Sequence, residues 1–112
     1  MVSVEIFRQL ALAFAEATEQ PHFEKTSYRV TKKIFATLDI NNKKVVVKLS
    51  AIDQSVFCSF DKSIIYPVPG KWGIHGWTMI ELKCVKKAML QDALTIAYCT
   101  VAPERLAKKY QQ

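Results

Sequence analysis

The chain has 112 residues, of which 50% are hydrophobic and 23% charged, with three glycines, four prolines and a formal net charge of +6. This composition excludes intrinsic disorder and collagen-like or coiled-coil structure, and the length predicts a single domain over residues 1–112 with its own core. No stretch approaches the roughly 18 to 20 consecutive apolar residues of a membrane span. The N-terminus lacks a secretory pattern, so we expect a cytoplasmic protein without membrane contact.

The first half of the chain predicts one helix followed by three strands. Apolar residues at three- and four-residue spacing predict a helix from Val4 to Ala17, with Ser3 as its N-cap. Pro21 ends any helical continuation. The connections Thr31-Lys32 and Asn41-Asn42 are too short for a parallel crossover, and both asparagines tolerate left-handed backbone angles. The β-rich runs are therefore predicted as antiparallel hairpin strands: Thr26–Val30, Lys33–Leu38 and Lys44–Leu49.

The second half alternates helices and strands. Hydrophobic spacing and the position of the prolines predict, in order, a helix over Ala51–Phe60, a strand over Ser63–Pro67, an irregular loop over Lys71–Gly76, a strand over Trp77–Lys83, and helices over Lys86–Val101 and Glu104–Tyr110. The predicted order is α-β-β-β-α-β-β-α-α, an α+β fold with no internal repeat or linker.

Positive charge is concentrated in residues 25–50, which carry a net charge of +6 with Asp39 as their only acid. Period-two alternation assigns a core side to Tyr28, Val30, Ile34, Ala36, Leu38, Val45, Val47 and Leu49. It assigns the other side to Arg29, Lys33, Phe35, Thr37, Lys44, Val46 and Lys48. Basic residues interleaved with apolar ones suit a surface that grips phosphates and packs on sugars or bases. Alternatively, the C-terminal helix covers Phe35 and Val46, and the lysines fringe that contact.

The segment from Trp72 to Trp77 contains both tryptophans and two of the three glycines. Glycines allow close backbone approach and an indole offers a flat stacking face, so a ligand-facing loop is one interpretation. The other is a loop anchored in the core, which the start of a strand favours for Trp77. Both interpretations stay open for Trp72 and His75. His22, at the entrance to the first predicted strand, carries no role by itself.

The three cysteines, Cys58, Cys84 and Cys99, are odd in number and widely spaced. They are interpreted as small buried hydrophobic residues, and with His22 and His75 they do not form a metal-ligand pattern. No nucleophile, carboxylate pair or phosphate loop accompanies the histidines. We therefore predict no catalytic residues, no metal site and no cofactor, and an enzyme or small-molecule binder centred on the Trp72 loop is the weakest hypothesis.

Nine segments, in the same order along the chain, resemble the MmcQ/YjbR family of small bacterial proteins. They are Phe7–Ala13, His22–Lys25, Tyr28–Val30, Lys33–Leu38, Val47–Leu49, Tyr66–Gly70, Trp72–Gly73, Gly76–Thr78 and Ala102–Leu106. The resemblance implies a cytoplasmic bacterial protein with a two-layer α+β sandwich, similar to type III secretion chaperones. The family is commonly labelled DNA-binding because its fold is similar to a phage double-wing domain whose concave sheet meets the duplex. One departure is Lys32, where the family often has a glycine.

The resemblance and the basic face together predict weakly specific, salt-sensitive DNA binding. The predicted phosphate contacts are Lys25, Arg29, Lys33 and Lys48, with Phe35 or Trp72 packing on sugar or base. His22, His75 and Trp77 form a candidate ligand loop. The alternative is a protein-interaction or chaperone-like module, a monomer or a homodimer, that uses the same sheet face for a protein partner.

Overall fold

The computed structural model describes residues 1–111, which form a six-stranded antiparallel sheet with helices. The helices are α1 (Val4–Leu12), α2 (Ala51–Cys58), α3 (Lys71–Ile74), α4 (Lys87–Val101) and α5 (Glu104–Ala107), followed by a 3-10 turn (Lys108–Tyr110). The strands are β1 (Thr18–His22), β2 (Lys25–Val30), β3 (Lys33–Asp39), β4 (Lys44–Lys48), β5 (Ile65–Pro67) and β6 (Trp77–Glu81). Their order in the sheet is β1-β2-β3-β4-β6-β5.

The first strand, β1, was not predicted, because its residues are polar and include Pro21, and the first helix is shorter than the predicted Val4–Ala17. The helix ends at Leu12, and Glu16 adopts a left-handed φ of 59° that the helix cannot accommodate. The chain then forms β1, which pairs with β2 from Thr18 opposite Arg29 onward. Pro21 is tolerated there because β1 is an edge strand, where one missing N–H donor costs little.

The core lies between one face of the sheet and α4. Tyr98 of α4 is fully buried, stacks on Phe14 with ring centroids 4.8 Å apart and meets Phe35 edge-on at 5.5 Å. Phe7 of α1 packs edge-on against Tyr28 at 5.3 Å, so α1 reaches the same side of the sheet. Aromatic pairs of this geometry stabilise a core beyond their buried area.

A β-bulge at Phe35 reverses three predicted orientations, those of Phe35, Ile34 and Lys33. Tyr28 pairs with Ala36 and Arg29 pairs with Ile34, so Phe35 is an extra residue in β3. Phe35 and Ala36 are both fully buried, and Phe35 contacts Tyr98 in the core. The prediction that Phe35 lies on the basic face is therefore wrong, and Ile34 takes the position on that face instead. Simple alternation fails because a bulge interrupts the two-residue period.

Of the two predicted hairpin turns, the one between β2 and β3 is observed as predicted and the one between β3 and β4 differs. Thr31 and Lys32 form the predicted two-residue turn, with φ angles of 48° and 71°. Between β3 and β4 the left-handed residue is Lys43, at φ 54°, and not an asparagine. Asn42 instead donates both main-chain and side-chain hydrogen bonds to Asp39, which stabilises a four-residue loop.

The prediction that all three cysteines are buried was also wrong. Cys84 is exposed, while Cys58 and Cys99 are half-buried and desolvation raises the pKa of both thiols. Three apolar side chains of the second predicted helix, Ile52, Val56 and Phe60, are exposed. The segment after Gly70 forms one helical turn, α3, in place of the predicted irregular loop.

Within residues 1–111 no helix is long and apolar enough to cross a bilayer.

Candidate nucleic-acid interface

The sheet face turned away from α4, which we call the open face, contains a cleft of about 370 Å³. Paired residues of antiparallel strands point to the same side, so the register assigns its members: Thr37 lies opposite Val46, which lies opposite Met79. This sheet cleft is lined by His22, Lys25, Ile34, Thr37, Val46, Val68, Trp72, Trp77 and Met79. The sequence left open whether the C-terminal helix covers this face of the sheet. It does not, because α4 covers the other face.

Two tryptophans form one wall of the sheet cleft. Trp72 on α3 is 65% exposed, whereas Trp77 at the start of β6 is half-buried. Their ring centroids are 6.5 Å apart and their planes are inclined by 71°. A Cβ atom on Gly73 would lie 2.0 Å from the main-chain oxygen of Val68, so glycine allows α3 to approach the chain beyond β5 closely. This close approach positions Trp72 over the cleft.

Cationic side chains surround the apolar floor of the sheet cleft, which is formed by Ile34, Val46 and Met79. Lys25 lines the sheet cleft directly, and Arg29 lies opposite the cleft residue Ile34. The Nε atom of Arg29 donates to Ser27 Oγ at 3.0 Å, which holds the guanidinium on the open face. Lys48 lies opposite Trp77, at the other end of the cleft. The predicted phosphate-binding residues Lys25, Arg29 and Lys48 are therefore brought to one face.

Two carboxylates share the open face, and each is held by neighbours. Glu81 accepts a hydrogen bond from the Tyr66 hydroxyl and pairs with Lys44 at 3.4 Å. Tyr66 and Glu81 raise the pKa of Lys44. Hydrogen bonds from the side chain and backbone of Asn42 lower the pKa of Asp39, with a smaller contribution from Lys25. The face keeps an excess of positive charge, because Lys25, Arg29, Lys44 and Lys48 outnumber these two acids.

Five of the nine predicted site residues do not line the sheet cleft. Arg29 and Lys48 lie beside it on the open face, and the other three lie elsewhere. Phe35 is in the core, as described above. Lys33 is paired with the fully buried Val30 and so belongs to the side of the sheet that faces α4. His75 is exposed and contributes its carbonyl oxygen, which accepts a hydrogen bond from Lys48, but its ring does not line the cleft. The members that do line it are Lys25, Trp72, His22 and Trp77.

One candidate residue was missed from the sequence, because β1 and its hairpin were missed. Phe23 stands at the tip of the β1–β2 turn, 94% exposed and with a left-handed φ of 59°. A bulky residue rarely adopts that backbone angle. Its ring lies 4.9 Å from that of His22, which lines the sheet cleft. An exposed aromatic ring in a strained turn beside the cleft is a functional candidate.

The family model that matches this chain is YjbR, over residues 12–100. The chain belongs to the YjbR family. The crystal structure of Deinococcus radiodurans protein DR2400, with a DUF419 domain, superposes on this YjbR chain with a TM-score of 0.81. The two are 18% identical, and the match spans 98% of this chain and 88% of the other. The resemblance and the α+β fold predicted from the sequence are both confirmed. No curated protein matches this YjbR sequence.

Proposed function

We propose that this YjbR protein is a cytoplasmic DNA-binding protein that uses the open face and performs no catalysis. One observation carries the proposal: the exposed ring of Trp72 and the cations Lys25, Arg29 and Lys48 converge on a single sheet face. Phosphates attract the cations without regard to sequence, and an aromatic face supports sugar or base. The same face combines both kinds of group.

The expected binding is weakly specific. Sequence-specific readers commonly insert a helix into the major groove. Here the long helix α4 is committed to the core, where Leu90, Leu94 and Tyr98 are fully buried. The helix α2 has only eight residues. Contacts from the sheet to phosphates and sugars are the remaining source of affinity, and these contacts carry little sequence information.

The test is the fluorescence anisotropy of a labelled DNA of mixed sequence at about 50 and 200 mM salt, a range over which phosphate contacts lose much of their affinity. We expect binding that weakens steeply with salt. The double variant Lys25→Gln/Arg29→Gln should bind more weakly and with a smaller salt slope. Absence of binding at the lower salt concentration would contradict the proposal.

A matched control comes from the other side of the sheet. Lys86 and Lys87 are exposed at the start of α4, and Lys86→Gln/Lys87→Gln makes the same change in net charge. If this variant loses as much affinity as Lys25→Gln/Arg29→Gln, the attraction depends on overall charge and not on the open face. Circular dichroism of each variant verifies the fold.

A second candidate, a protein-interaction module acting as a monomer or homodimer, is favoured by the apolar floor of the sheet cleft, formed by Ile34, Val46 and Met79. An amphipathic partner segment could bury its apolar side there. Competition separates the two functions. DNA and heparin displace each other on a basic face, whereas a peptide held by the apolar floor stays bound in the presence of excess duplex.

A further inference from the structure

The sheet cleft is more apolar and aromatic than phosphate binding requires. Six of its nine lining residues are apolar, and two of these six are tryptophans. A surface that contacts only the backbone of a duplex needs cations and hydrogen-bond donors, as in other backbone-reading proteins. An apolar cavity with indole walls instead suits a flat aromatic group that leaves water. Charge at its margins suits an anion attached to that group.

We infer that the sheet cleft binds an unpaired nucleobase, so that the ligand class is single-stranded nucleic acid in preference to duplex. This inference rests on the proposed function and specifies its substrate. Trp72, at 65% exposure, offers a face on which a base stacks. Lys48 lies over the ring of Trp77, so the two indoles do not compete for one base.

The remaining groups of the cleft match the edge and the backbone of a nucleotide. Thr37 supplies a hydroxyl and His22 an imidazole within the same lining, and both can hydrogen-bond to the edge of a base. Lys25 is the first residue of β2 and Lys48 is the last of β4, and these two strands run in the same direction. The two cations therefore lie at opposite ends of the cleft, where a nucleic-acid strand that crosses the cleft diagonally places phosphates on either side of the bound base.

A duplex cannot use this cleft without disruption. Its bases are stacked and paired, and presenting one base face requires flipping the nucleotide out of the helix at an energetic cost. A single strand exposes its base faces without that cost, and aromatic stacking of such bases is tolerant of sequence. The apolar floor thus contributes to binding of a single strand and contributes nothing to binding of an intact duplex.

The experiment compares a labelled mixed-sequence strand of about 20 nucleotides with the duplex made from it, by anisotropy at low salt. We expect the single strand to bind at least about 10-fold more tightly. Trp72→Ala should lower single-strand affinity by about 10-fold and duplex affinity by a much smaller factor, while Trp72→Phe retains most of the single-strand affinity. Tryptophan fluorescence of the wild-type protein should be quenched by the single strand.

Ile74 provides the control. It is 79% exposed on the same helical turn as Trp72 but does not line the sheet cleft, so Ile74→Ala should leave both affinities unchanged. Duplex binding as tight as single-strand binding, or equal losses in Trp72→Ala and Ile74→Ala, would overturn this inference and leave the proposed DNA binding intact. Failure of both ligands to bind at low salt would overturn the proposed function together with the inference.

Discussion

Lys48 Nζ lies 5.5 Å from the centre of the Trp77 ring and donates a hydrogen bond to the main-chain carbonyl of His75. One side chain thus joins β4 to the first residue of β6 and to the end of α3. The ammonium group stays half-exposed at the end of the sheet cleft, where it combines a structural contact with a charge available to a phosphate.

Lys48→Met keeps most of the aliphatic stem and removes the charge. We expect the free energy of unfolding to fall by less than about 1 kcal/mol, since a cation over an exposed aromatic ring contributes about that much. The slope of log affinity against log salt should decrease by roughly 0.7 for a single strand, because one phosphate contact is lost. Lys33→Met, on the α4 side of the sheet, should not change the slope. Equal slopes for the two variants would contradict this assignment.

Phe23 predicts a trade-off between stability and binding. Its φ of 59° is unfavourable for a bulky residue, and its ring is 94% exposed, so it contributes little to the core. Phe23→Asn should raise the free energy of unfolding by about 0.5 to 1 kcal/mol, because asparagine tolerates the left-handed region. It should also weaken nucleic-acid binding, because an exposed stacking ring is removed. Urea denaturation and anisotropy on the same sample test both effects, and unchanged affinity would exclude a binding role.

The turn between β2 and β3 allows a stabilising substitution that, unlike Phe23→Asn, should not weaken binding. Thr31 and Lys32 both have positive φ, and Asn-Gly is the pair preferred in a turn of this type. Thr31→Asn/Lys32→Gly should stabilise the protein by about 1 kcal/mol. Nucleic-acid affinity should stay within about twofold after allowance for one lost charge, since neither residue lines the sheet cleft. A destabilised variant would contradict the assigned turn geometry.

The strands around the basic segment were predictable because their alternation, short turns and β-branched residues agree with one another. The strands β3 and β4 begin at Lys33 and Lys44, as predicted. Phe35 could not be placed, because a bulge depends on the pairing between two strands and leaves no mark in one strand's sequence. The edge strand β1 was hidden since Thr18–His22 is polar, contains proline and has no apolar alternation.

The candidate site was partly predictable for the same reason. Arg29 and Lys48 follow from strand alternation, Lys25 from the family-like segment His22–Lys25, and Trp72 from its glycine-rich surroundings. The floor of the cleft was not predictable. Ile34 was assigned to the core because the bulge was unknown, and Met79 belongs to a strand whose place beside β4 requires a non-sequential pairing. Register between distant strands is a tertiary property that local periodicity does not encode.

Arg8 and Glu19 predict how stability depends on pH. Arg8 donates from Nε to Glu19 Oε2 at 2.9 Å and from its second terminal nitrogen to Oε1 at 3.0 Å, and the Tyr28 hydroxyl donates to Oε2 at 2.7 Å. These bonds, those from Arg8 first, lower the pKa of Glu19. A carboxyl whose pKa is lower in the folded state stabilises fully above its unfolded value, about 4.3 for glutamate, and loses this stabilisation as the pH falls through the folded pKa.

We therefore expect the thermal midpoint to be level above about pH 5 and to decrease below it. Glu19→Gln should lower the free energy of unfolding by about 1 kcal/mol at neutral pH, an amount discounted for the partial exposure of the pair. It should also make the decrease of the thermal midpoint below about pH 5 shallower. The side chain of Glu16, paired with Arg105 at 2.9 Å, has a lowered pKa and adds a weaker dependence in the same range. If the thermal midpoints of the wild type and Glu19→Gln decrease equally below about pH 5, Glu19 is not responsible for the acid destabilisation.

Gly76 connects the stability of the fold to the geometry of the candidate site. Its φ is +98°, and a Cβ atom there would lie 1.8 Å from the main-chain oxygen of Leu49. The amide of Leu49 donates a hydrogen bond to the Gly76 carbonyl at 3.0 Å, so these two segments of the chain are in direct backbone contact. Gly76→Ala should cost about 3 kcal/mol or more, because both the backbone angle and the close contact with the backbone of Leu49 oppose the methyl group.

Gly70→Ala separates these two causes. Gly70 also has a positive φ, +80°, but an added Cβ atom would meet nothing within 4 Å, so only the backbone strain of roughly 1 to 3 kcal/mol applies. Urea denaturation of both variants should give the larger loss for Gly76→Ala. The excess measures the repulsion between the added methyl group and the backbone of Leu49, whose close approach to Gly76 helps to position Trp72. Equal losses would mean that this contact relaxes freely and that the position of Trp72 depends on other packing.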